Sequence, residues 1–386
     1  MIVAARVAAA IEILDYVLSG DPAEKALTHW GRTHRFAGSG DRAAIRDLVF
    51  DGLRGWRSLA ALGGSDTGRG IMIGLARRSG QDLDQVFTGN GHAPAILGPQ
   101  DVAVSRLPDP VKADLPDWLF PMFQADLGPQ AGKVLETMQN RAAVFVRVNL
   151  RRGSVPEAIA SLAGDLILTV PHPKVRTALQ VTANERKIDK SQAYLTGLIE
   201  LQDAASQEAV LRLPLRNGQR VLDYCAGGGG KALAMAALAD VTVFAHDAAP
   251  RRMVDLPLRA SRAGVTIDPL LTAALTSEPR FDLVLVDAPC SGSGTWRRTP
   301  DAKWRFGPTD LTRVMAAQSR ILAQASTLIA PGGTLAYATC SVLRAENQGQ
   351  IQNFLSTRPA WRQVDEWQHI PSDDGDGFYL GQLQIL

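Results

Sequence analysis

Two kinds of hydrophobic pattern divide this chain. Over residues 1 to about 90, apolar residues recur every three or four positions, as at Val7, Ile11 and Leu14, with Gly, Pro and Asp between the segments. This spacing predicts an all-helical domain. After about residue 200, apolar runs of strand length alternate with helical stretches, and the predicted strands are 220–224, 241–245, 281–286 and 334–338. That alternation predicts an α/β fold with a mostly parallel, doubly wound sheet.

A third pattern lies between these parts. Prolines crowd between Pro94 and Pro121, above all in LPDPVKADLPDWLFP, which cannot continue a helix and indicates a domain junction. Beyond it, short strand-like runs at 144–149 and 166–170 flank a helical stretch at 156–162 and predict a small α/β module. The predicted domains are therefore 1–115, helical; 116–200, the small α/β module; and 201–386, the doubly wound domain.

Composition narrows the class of protein. With 46% hydrophobic and 21% charged residues, the 386-residue chain is globular, and Glu12 and Asp15 interrupt the N-terminal segment where a signal peptide would stay apolar. We expect a cytoplasmic protein without membrane spans, since no apolar run approaches the roughly 20 residues that cross a bilayer. The three cysteines form no CxxC or Cys/His cluster, which argues against a disulfide framework and a metal site. Nothing in the chain requires more than a monomer.

The net charge of +2 does not by itself indicate a nucleic-acid partner, although most of the positive charge is arginine. Basic residues gather in the helical part of the chain. They are Arg32, Arg35, Arg42, Arg46, Arg54 and Arg57. Two interpretations stay open for this group: a phosphate-binding face, or an ordinary solvated helix surface.

Each cysteine lies in a turn of small residues directly after a predicted strand. The turns contain Cys225, Cys290 and Cys340, and Asp247 follows the remaining strand. Because ligands of doubly wound sheets bind beyond the carboxyl ends of the strands, these four segments predict one site. A cysteine in such a turn is open to ligand chemistry rather than packed as a small hydrophobe, although packing remains an equal alternative for Cys225.

The first turn, DYCAGGGGK at Asp223–Lys231, precedes a helical stretch, so its glycines let backbone approach a ligand at a helix N-terminus. It is not a Walker A loop, because Cys225 and Ala232 replace the required Gly and Ser/Thr. The dinucleotide pattern also fails, because Ala232 or Leu233 stands at its third glycine. Asp247 lies about 20 residues beyond the turn, where an acid can bind a ribose diol or cap a helix. A nucleotide-type cofactor is predicted.

The segment 281–306 suits a nucleobase. Asp287 can hydrogen-bond a ring nitrogen of a base. The residues that follow it are basic, and can contact phosphates, or aromatic, and can stack on bases. These residues are Trp296, Arg297, Arg298, Lys303, Trp304 and Arg305. For the tryptophans, packing in the core is the alternative. The thiolate of Cys340, after the last predicted strand, can act as a nucleophile. Because no histidine is near it in sequence, activation has to come from the local field or from basic residues brought close by folding.

Taken together, these motifs resemble the Sun family of RNA cytosine-5 methyltransferases. The matching segments are CAGGGGK at 225–231, DAPCSGSG at 287–294, TPDAKW at 299–304, and PGGTLAYATCS at 331–341 with AENQ behind it. The likeness extends over nearly the whole chain. The helical N-terminus is similar to the family's NusB-like RNA-binding domain, and VRVN at 146–149, LIELQDAASQ at 198–207 and DGFYL at 376–380 also match.

The resemblance implies S-adenosylmethionine as methyl donor and RNA as substrate. Small-subunit ribosomal RNA is the preferred candidate substrate, and transfer RNA is the alternative. Cys340 would attack C6 of a cytosine, Cys290 would help to remove the C5 proton and release Cys340, and Asp287 would lie at the reacting centre. The implied cofactor-binding residues are Asp223, Cys225, Ala226, Gly227, Gly228, Gly229, Gly230, Lys231, Asp247, Arg251 and Asp287.

Two departures from the family's pattern stand out. Gly228 occupies the position of the family's usual proline, and no acid follows the third strand, within VTIDPLLTAALT at 265–276, where the family places one against the adenine. Asp268 could replace that acid only in a shifted register. The alternatives to an active enzyme are an RNA-binding or ribosome-assembly protein that has lost catalysis, and a Rossmann oxidoreductase, which the failed dinucleotide pattern disfavours.

Overall fold

The computed structural model describes residues 1–104 and 106–385. In chain order its α-helices are α1 (Val3–Leu18), α2 (Ala23–Thr33), α3 (Ser39–Arg54), α4 (Trp56–Gly63), α5 (Gly68–Arg78), α6 (Leu83–Val86), α7 (Asp109–Lys112), α8 (Phe120–Leu127), α9 (Ala131–Met138), α10 (Val155–Gly164), α11 (Gln192–Leu195), α12 (Ala204–Leu211), α13 (Gly230–Leu238), α14 (Leu256–Ala263), α15 (Pro300–Arg305), α16 (Pro308–Ser326) and α17 (Gln348–Ser356). Short 3-10 helices occur at Gly128–Gln130, Glu185–Lys190, Pro250–Met253, Thr272–Ala274 and Ser293–Thr295.

The strands are β1 (Val144–Val148), β2 (Leu168–Pro171), β3 (Ala178–Ala183), β4 (Ile199–Leu201), β5 (Arg220–Asp223), β6 (Thr242–His246), β7 (Ile267–Leu270), β8 (Phe281–Asp287), β9 (Ile329–Thr339), β10 (Trp361–His369) and β11 (Phe378–Ile385). The chain forms two compact units. The helical unit contains residues 1–141 and 296–308, and the sheet unit contains 142–295 and 309–386. The boundaries predicted at 115 and 200 remain a prediction.

The helical unit confirms the helical pattern of the N-terminal sequence. In α1 the apolar positions three and four apart share one face, and Ile13 and Leu14 are fully buried there. They join one core with Val49 and Leu53 of α3 and with Ile71 of α5. No helix among the described residues has both the length and the apolar character needed to cross a membrane.

One basic residue of this unit is not on its surface. Arg54, which the sequence groups with a possible phosphate-binding face, is only 4% exposed, and its Nε donates to the Arg297 carbonyl over 2.7 Å. Its guanidinium also pairs with Asp51. Since Arg54 ends α3 and points inward, the phosphate-face interpretation is wrong for this residue.

The segment 296–308 belongs to the same helical unit. Trp296 is 2% exposed and stacks on Phe123, and the Trp304 indole donates to the Leu53 carbonyl over 2.7 Å. Lys303 is 3% exposed, and its burial lowers its pKa to about 8. Trp296 therefore follows the core-packing alternative, and the surface contacts predicted for Trp296 with a base and for Lys303 with phosphates are wrong.

The sheet unit contains a seven-stranded sheet of order β10-β11-β9-β8-β5-β6-β7. The pairs among β5, β6, β7, β8 and β9 are parallel, and β11 adds to β9 antiparallel. Helices α13, α14, α16 and α17 connect these strands. The predicted doubly wound Rossmann-like fold is confirmed, and the order of the strands reverses between β5 and β8, where such folds bind their ligands.

A smaller antiparallel sheet of order β2-β3-β1-β4 precedes it in the chain. Its helix, α10, begins at a capping box in which the Ser154 hydroxyl and the Glu157 backbone N–H form one bond and the Glu157 carboxylate accepts the Ser154 N–H. Leu162 of α10 packs with Val146 and Leu179 of the sheet. The predicted helix at 156–162 and strands at 144–149 and 166–170 are confirmed.

Candidate active site

The turns that the sequence predicts to form one site meet at the edge of the large sheet. Asp223 ends β5, Asp287 ends β8, and Cys340 directly follows β9. These three strands are neighbours in the order β5, β8, β9, and their parallel pairing brings all three carboxyl ends to one edge. The site thus lies next to the point where the strand order reverses, which is the expected ligand position in this fold.

A cavity of about 640 Å³ opens at this edge. Four segments that the sequence assigns to one site contribute to its wall, together with residues from other elements. The lining residues are Gln202, Ser206, Asp223, Cys225, Ala226, Gly227, Gly228, Gly230, Lys231, Asp247, Ala248, Arg252, Asp287, Ala288, Pro289, Cys290, Ile321 and Cys340. The volume lies in the range of cavities that hold small-molecule cofactors.

Two residues predicted to bind the cofactor do not line this cavity. Arg251 and Arg252 are both exposed, but only Arg252 lines the wall, with its guanidinium 3.2 Å from the Asp247 carboxylate. Both arginines belong to the short 3-10 helix Pro250–Met253, in which consecutive side chains point in different directions. The sequence could not decide between them, and binding of the cofactor by Arg251 stays a prediction.

Gly229 is the second such residue, because the structure uses it for packing. It has a left-handed φ of +79°, and a Cβ at this position would lie 2.2 Å from Leu256 Cδ1. Gly229 thus lets the turn enter α13 while α14 packs close behind it. Gly229 itself does not line the cavity, whereas its neighbours Gly228 and Gly230 do, and its part in cofactor binding stays a prediction.

Asp247 shapes the glycine turn from the next strand. It follows β6, is 4% exposed, and accepts the Gly227 backbone N–H over 3.0 Å through one oxygen. Its other oxygen accepts the Ala249 N–H over 2.9 Å. The carboxylate therefore fixes both its own turn and the glycine turn, and it still lines the cavity.

Cys290 and Cys340 form a thiol pair, with their sulfur atoms 3.4 Å apart. The hydrogen bond from Cys290 is the first cause that lowers the pKa of Cys340, followed by the charge of Lys231 and a bond from Thr295, against the opposing effects of burial and Asp287. The same bond, and burial, raise the pKa of Cys290 well above its ordinary value. Cys340 is thus the group that ionises more easily, and Cys290 is the thiol that donates to it.

Lys231 supplies the positive charge beside this pair. It is the second residue of α13, and its Nζ lies 2.6 Å from Asp287 Oδ2. Burial opposes the ammonium charge, but Asp287 and Asp223 outweigh it and raise the pKa of Lys231. Lys231 therefore stays protonated and is the basic residue that folding brings close to Cys340. Such a residue was expected because no histidine is near Cys340 in the sequence.

Asp223 is the buried acid at the floor of the cavity. It is 1% exposed, and its Oδ2 accepts the Ala232 backbone N–H over 3.0 Å. Its Oδ1 has no hydrogen-bond partner among the described residues although it is buried. Burial, and then the charge of Asp287, raise the pKa of Asp223 to about 7. A buried, unpaired carboxylate oxygen at a cavity is suited to a positively charged ligand group.

We expect Asp223→Asn to stabilise the fold more at pH 8 than at pH 5. The folded protein holds the Asp223 proton up to its pKa of about 7, whereas the unfolded chain releases it near the ordinary 3.8, so the carboxyl costs stability as pH rises through this window. Asn carries no charge and keeps an oxygen for Ala232. Melting temperatures at the two pH values test this, with exposed Asp268→Asn as control; an equal gain at both pH values would contradict it.

Cys225 differs from the other two cysteines. Burial, and then the charges of Asp223, Asp287 and Asp247, raise the pKa of its thiol. It also packs against the apolar core beside the large sheet. Cys225 therefore lines the cavity as a neutral thiol and is not suited to be a nucleophile.

Gly294, in the turn that follows Cys290, lets two backbone segments approach each other closely. Gly294 N–H donates to the Cys340 carbonyl over 2.9 Å, and the Gly294 carbonyl accepts the Gly377 N–H over 2.9 Å. A Cβ at Gly294 would lie 2.6 Å from Gly377 Cα and 2.7 Å from the Cys340 oxygen. This close approach ties the Cys290 turn to the backbone of Cys340.

Gly294→Ala should therefore destabilise the protein. The added methyl group meets backbone atoms on two sides, so we expect the free energy of unfolding to fall by about 1–3 kcal/mol. Gly164→Ala is the matched control, because a Cβ there has nothing within 4 Å. Urea unfolding of both variants measures the difference, and equal stability of the two would refute the packing argument.

Two family models match this chain. Residues 210–384 match the model described as 16S rRNA methyltransferase RsmB/F, and residues 115–189 match the model of the ferredoxin-like domain of the RsmF/B-like methyltransferases. A relative from Cronobacter sakazakii, called Ribosomal RNA small subunit methyltransferase B, is 33% identical over 69% of this chain and 66% of its own length. The chain belongs to the RsmB/F methyltransferase family.

The family confirms the likeness to Sun-family enzymes and S-adenosylmethionine as the cofactor. A second relative of the same name, from Salmonella arizonae, is 30% identical over 69% of this chain. The chain spans 66% of the length of both relatives.

Solved structures support the fold. The crystal structure of PH0851 is 22% identical, with a TM-score of 0.77, and the match covers 100% of this chain and 99% of that chain. A methyltransferase homolog protein from Pyrococcus horikoshii is 23% identical, with a TM-score of 0.62 over 72% of this chain and 97% of that chain. At these identities the likeness concerns the fold alone.

In this member of the RsmB/F family, Gln202 and Ser206 line the cavity although sequence reasoning did not assign them to the site. Their amide and hydroxyl groups lie 3.3 Å apart, and Gln202 also accepts a bond from Arg147. Arg147 is 5% exposed and donates to the Gly230 carbonyl over 2.9 Å. The signal was present in the matching segments VRVN and LIELQDAASQ, but those segments do not end a strand of the large sheet.

The end of the third strand lacks an acid. Asp268 is the second residue of β7, pairs opposite Phe244 and is exposed, whereas β7 ends at Leu270. The shifted register that would bring Asp268 to the edge is therefore not formed. The family's acid at this position has no counterpart in β7.

Proposed function

We propose that this protein transfers a methyl group from S-adenosylmethionine to C5 of a cytosine in RNA, with small-subunit ribosomal RNA as the substrate. The observation that carries the proposal is the thiol pair: two cysteines from neighbouring strand ends, 3.4 Å apart, with pKa values shifted in opposite directions. Cytosine C5 methylation needs one thiolate as nucleophile and a second group that later assists its release.

The cavity fits the donor. Its glycine turn presents backbone N–H groups to a ligand at the start of α13. Asp247 follows the neighbouring strand β6, at the distance along the chain that is typical of a ribose-binding acid. The unpaired, buried Oδ1 of Asp223 is suited to the donor's ammonium group. Bound there, S-adenosylmethionine supplies an electrophilic methyl group. Asp223, Asp247 and the turn residues 225–231 are therefore the proposed binding residues.

The chain's own residues prepare the base. The Cys340 thiolate adds to C6 of the cytosine, which raises electron density at C5, an aromatic carbon that is otherwise a poor nucleophile. Asp287, whose Oδ2 lies 2.6 Å from Lys231 Nζ, hydrogen-bonds the base. After C5 carries the methyl group, its proton leaves with the assistance of Cys290, the C5–C6 double bond reforms, and the Cys340 sulfur departs as thiolate.

The substrate is proposed from the relatives, whose names specify small-subunit ribosomal RNA. The test is transfer of labelled methyl from S-adenosylmethionine to unmodified small-subunit ribosomal RNA and, in parallel, to unmodified transfer RNA, followed by digestion to identify the base. We expect label at cytosine C5 of the ribosomal RNA. Label in transfer RNA alone would replace the substrate, and no label from protein that binds the donor would favour an RNA-binding protein without catalysis.

A further inference from the structure

A buried carboxylate behind the thiol pair has no role in the chemistry above. Glu346 is fully buried, and four neutral groups donate to it. Its Oε1 accepts the Ser291 backbone N–H over 2.8 Å and the Gln318 amide over 3.0 Å. Its Oε2 accepts the hydroxyls of Ser291 over 2.5 Å and Ser341 over 2.6 Å. Four donors fill the hydrogen-bonding capacity of a buried carboxylate.

The two serines connect this carboxylate to the thiols. Ser291 directly follows Cys290, and Ser341 directly follows Cys340. One side chain therefore joins both cysteine turns, which leave the separate strands β8 and β9. A change in the position of Glu346 moves both turns, and with them the 3.4 Å separation of the sulfur atoms.

Glu346 is itself held from strand β9. The Tyr337 hydroxyl donates to the Glu346 carbonyl over 2.7 Å. The next residue, Asn347, donates to the Ser341 carbonyl over 2.9 Å and accepts the Thr339 hydroxyl over 2.5 Å. All of these groups are buried. The carboxylate is thus a fixed point of the sheet rather than a side chain that follows the turns.

We propose that Glu346 is a positioning residue that sets the distance between the Cys290 and Cys340 thiols. The catalytic consequence rests on the proposed methyl transfer, whereas the consequence for thiol reactivity does not. Glu346 forms no hydrogen bond to either sulfur and sets their separation through Ser291 and Ser341, while its charge is a further cause of the raised pKa of Cys290.

Two conservative variants distinguish the effect of the length of the Glu346 side chain from the effect of its charge. Glu346→Asp keeps the charge but shortens the side chain by one C–C bond, about 1.5 Å, so it cannot hold both serines. Glu346→Gln keeps the length, and because serine hydroxyls can accept as well as donate, its amide can still join the two turns. Glu366→Gln is the matched control, since Glu366 is an exposed carboxylate that bonds to Gln348.

The first readout is alkylation of the folded protein by iodoacetamide across a range of pH, with Cys290, Cys340 and Cys225 followed separately by peptide mass spectrometry. We expect Glu346→Asp to move the alkylation profile of Cys340 to higher pH, because the hydrogen bond from Cys290 is lost, and to leave Cys225 unchanged. The profile of Glu346→Gln should lie between those of Glu346→Asp and the wild type. An unchanged Cys340 profile in folded Glu346→Asp would overturn the proposal.

The second readout is methyl transfer. For Glu346→Asp we expect kcat to fall by about 10- to 100-fold, the scale of a displacement near 1 Å, with the KM for S-adenosylmethionine unchanged. A rise in that KM with normal kcat would overturn the positioning role. If wild-type protein transfers no methyl group, the proposed function fails, but the alkylation profiles still decide the role of Glu346.

Discussion

Cys340→Ala is expected to abolish methyl transfer to RNA while leaving S-adenosylmethionine binding intact. The variant lacks the only cavity thiol whose pKa is lowered among the described residues, and without an adduct at C6 the cytosine C5 does not attack the donor. We expect a loss of about 10³-fold or more, as for other enzymes that lose their nucleophile. Labelled methyl transfer measures the loss, and calorimetry measures donor binding.

Cys340→Ser is the companion variant. A serine keeps the size of the side chain and a hydrogen-bonding partner for Cys290, but its hydroxyl does not ionise near neutral pH, so it should be as inactive as Ala. Loss of donor binding in both variants would instead mean that Cys340 supports the cavity. Full activity of Cys340→Ala would reject the nucleophile assignment.

The position of the candidate site could be predicted because it depends on the local hydrophobic pattern of each strand and on the rule that ligands of doubly wound sheets bind at the carboxyl ends of the strands. Apolar runs before Asp223, Asp287 and Cys340 predicted the strands, and parallel strands bring their carboxyl ends to one edge. The apolar pattern did not predict the short edge strand β7, which entered only through the family resemblance, since IDPL contains Asp and Pro, which strands disfavour. Strand β10, WRQVDEWQH, is largely polar and exposed, so its apolar signal is weak.

Other features depend on contacts between distant parts of the chain. Arg54 and Lys303 are basic residues that a sequence places on a surface, yet Lys303 donates to the Arg54 carbonyl across 249 positions. Glu346 meets Gln318 and Ser291 across 28 and 55 positions. Local periodicity carries no information on such pairs, which is why a recognisable AENQ motif did not reveal its role.

Cys290→Ala is expected to leave protein covalently attached to RNA. In the proposed reaction, C5 carries both a methyl group and a proton after methylation, and the Cys340–C6 bond breaks only when that proton leaves and the C5–C6 double bond reforms. The sulfur of Cys290 lies 3.4 Å from that of Cys340, and no other thiol is as close among the described residues. Removing it should therefore trap the adduct, which migrates slowly on a denaturing gel until the RNA is digested.

The same substitution should also slow formation of the adduct. The hydrogen bond from Cys290 is the main cause that lowers the pKa of Cys340, so without it that pKa rises and less thiolate is present at neutral pH. We therefore expect the adduct of Cys290→Ala to form faster at pH 8.5 than at pH 7, and to persist at both. The double variant Cys290→Ala/Cys340→Ala should give no adduct at either pH. Normal turnover of Cys290→Ala without an adduct would show that another group releases the product.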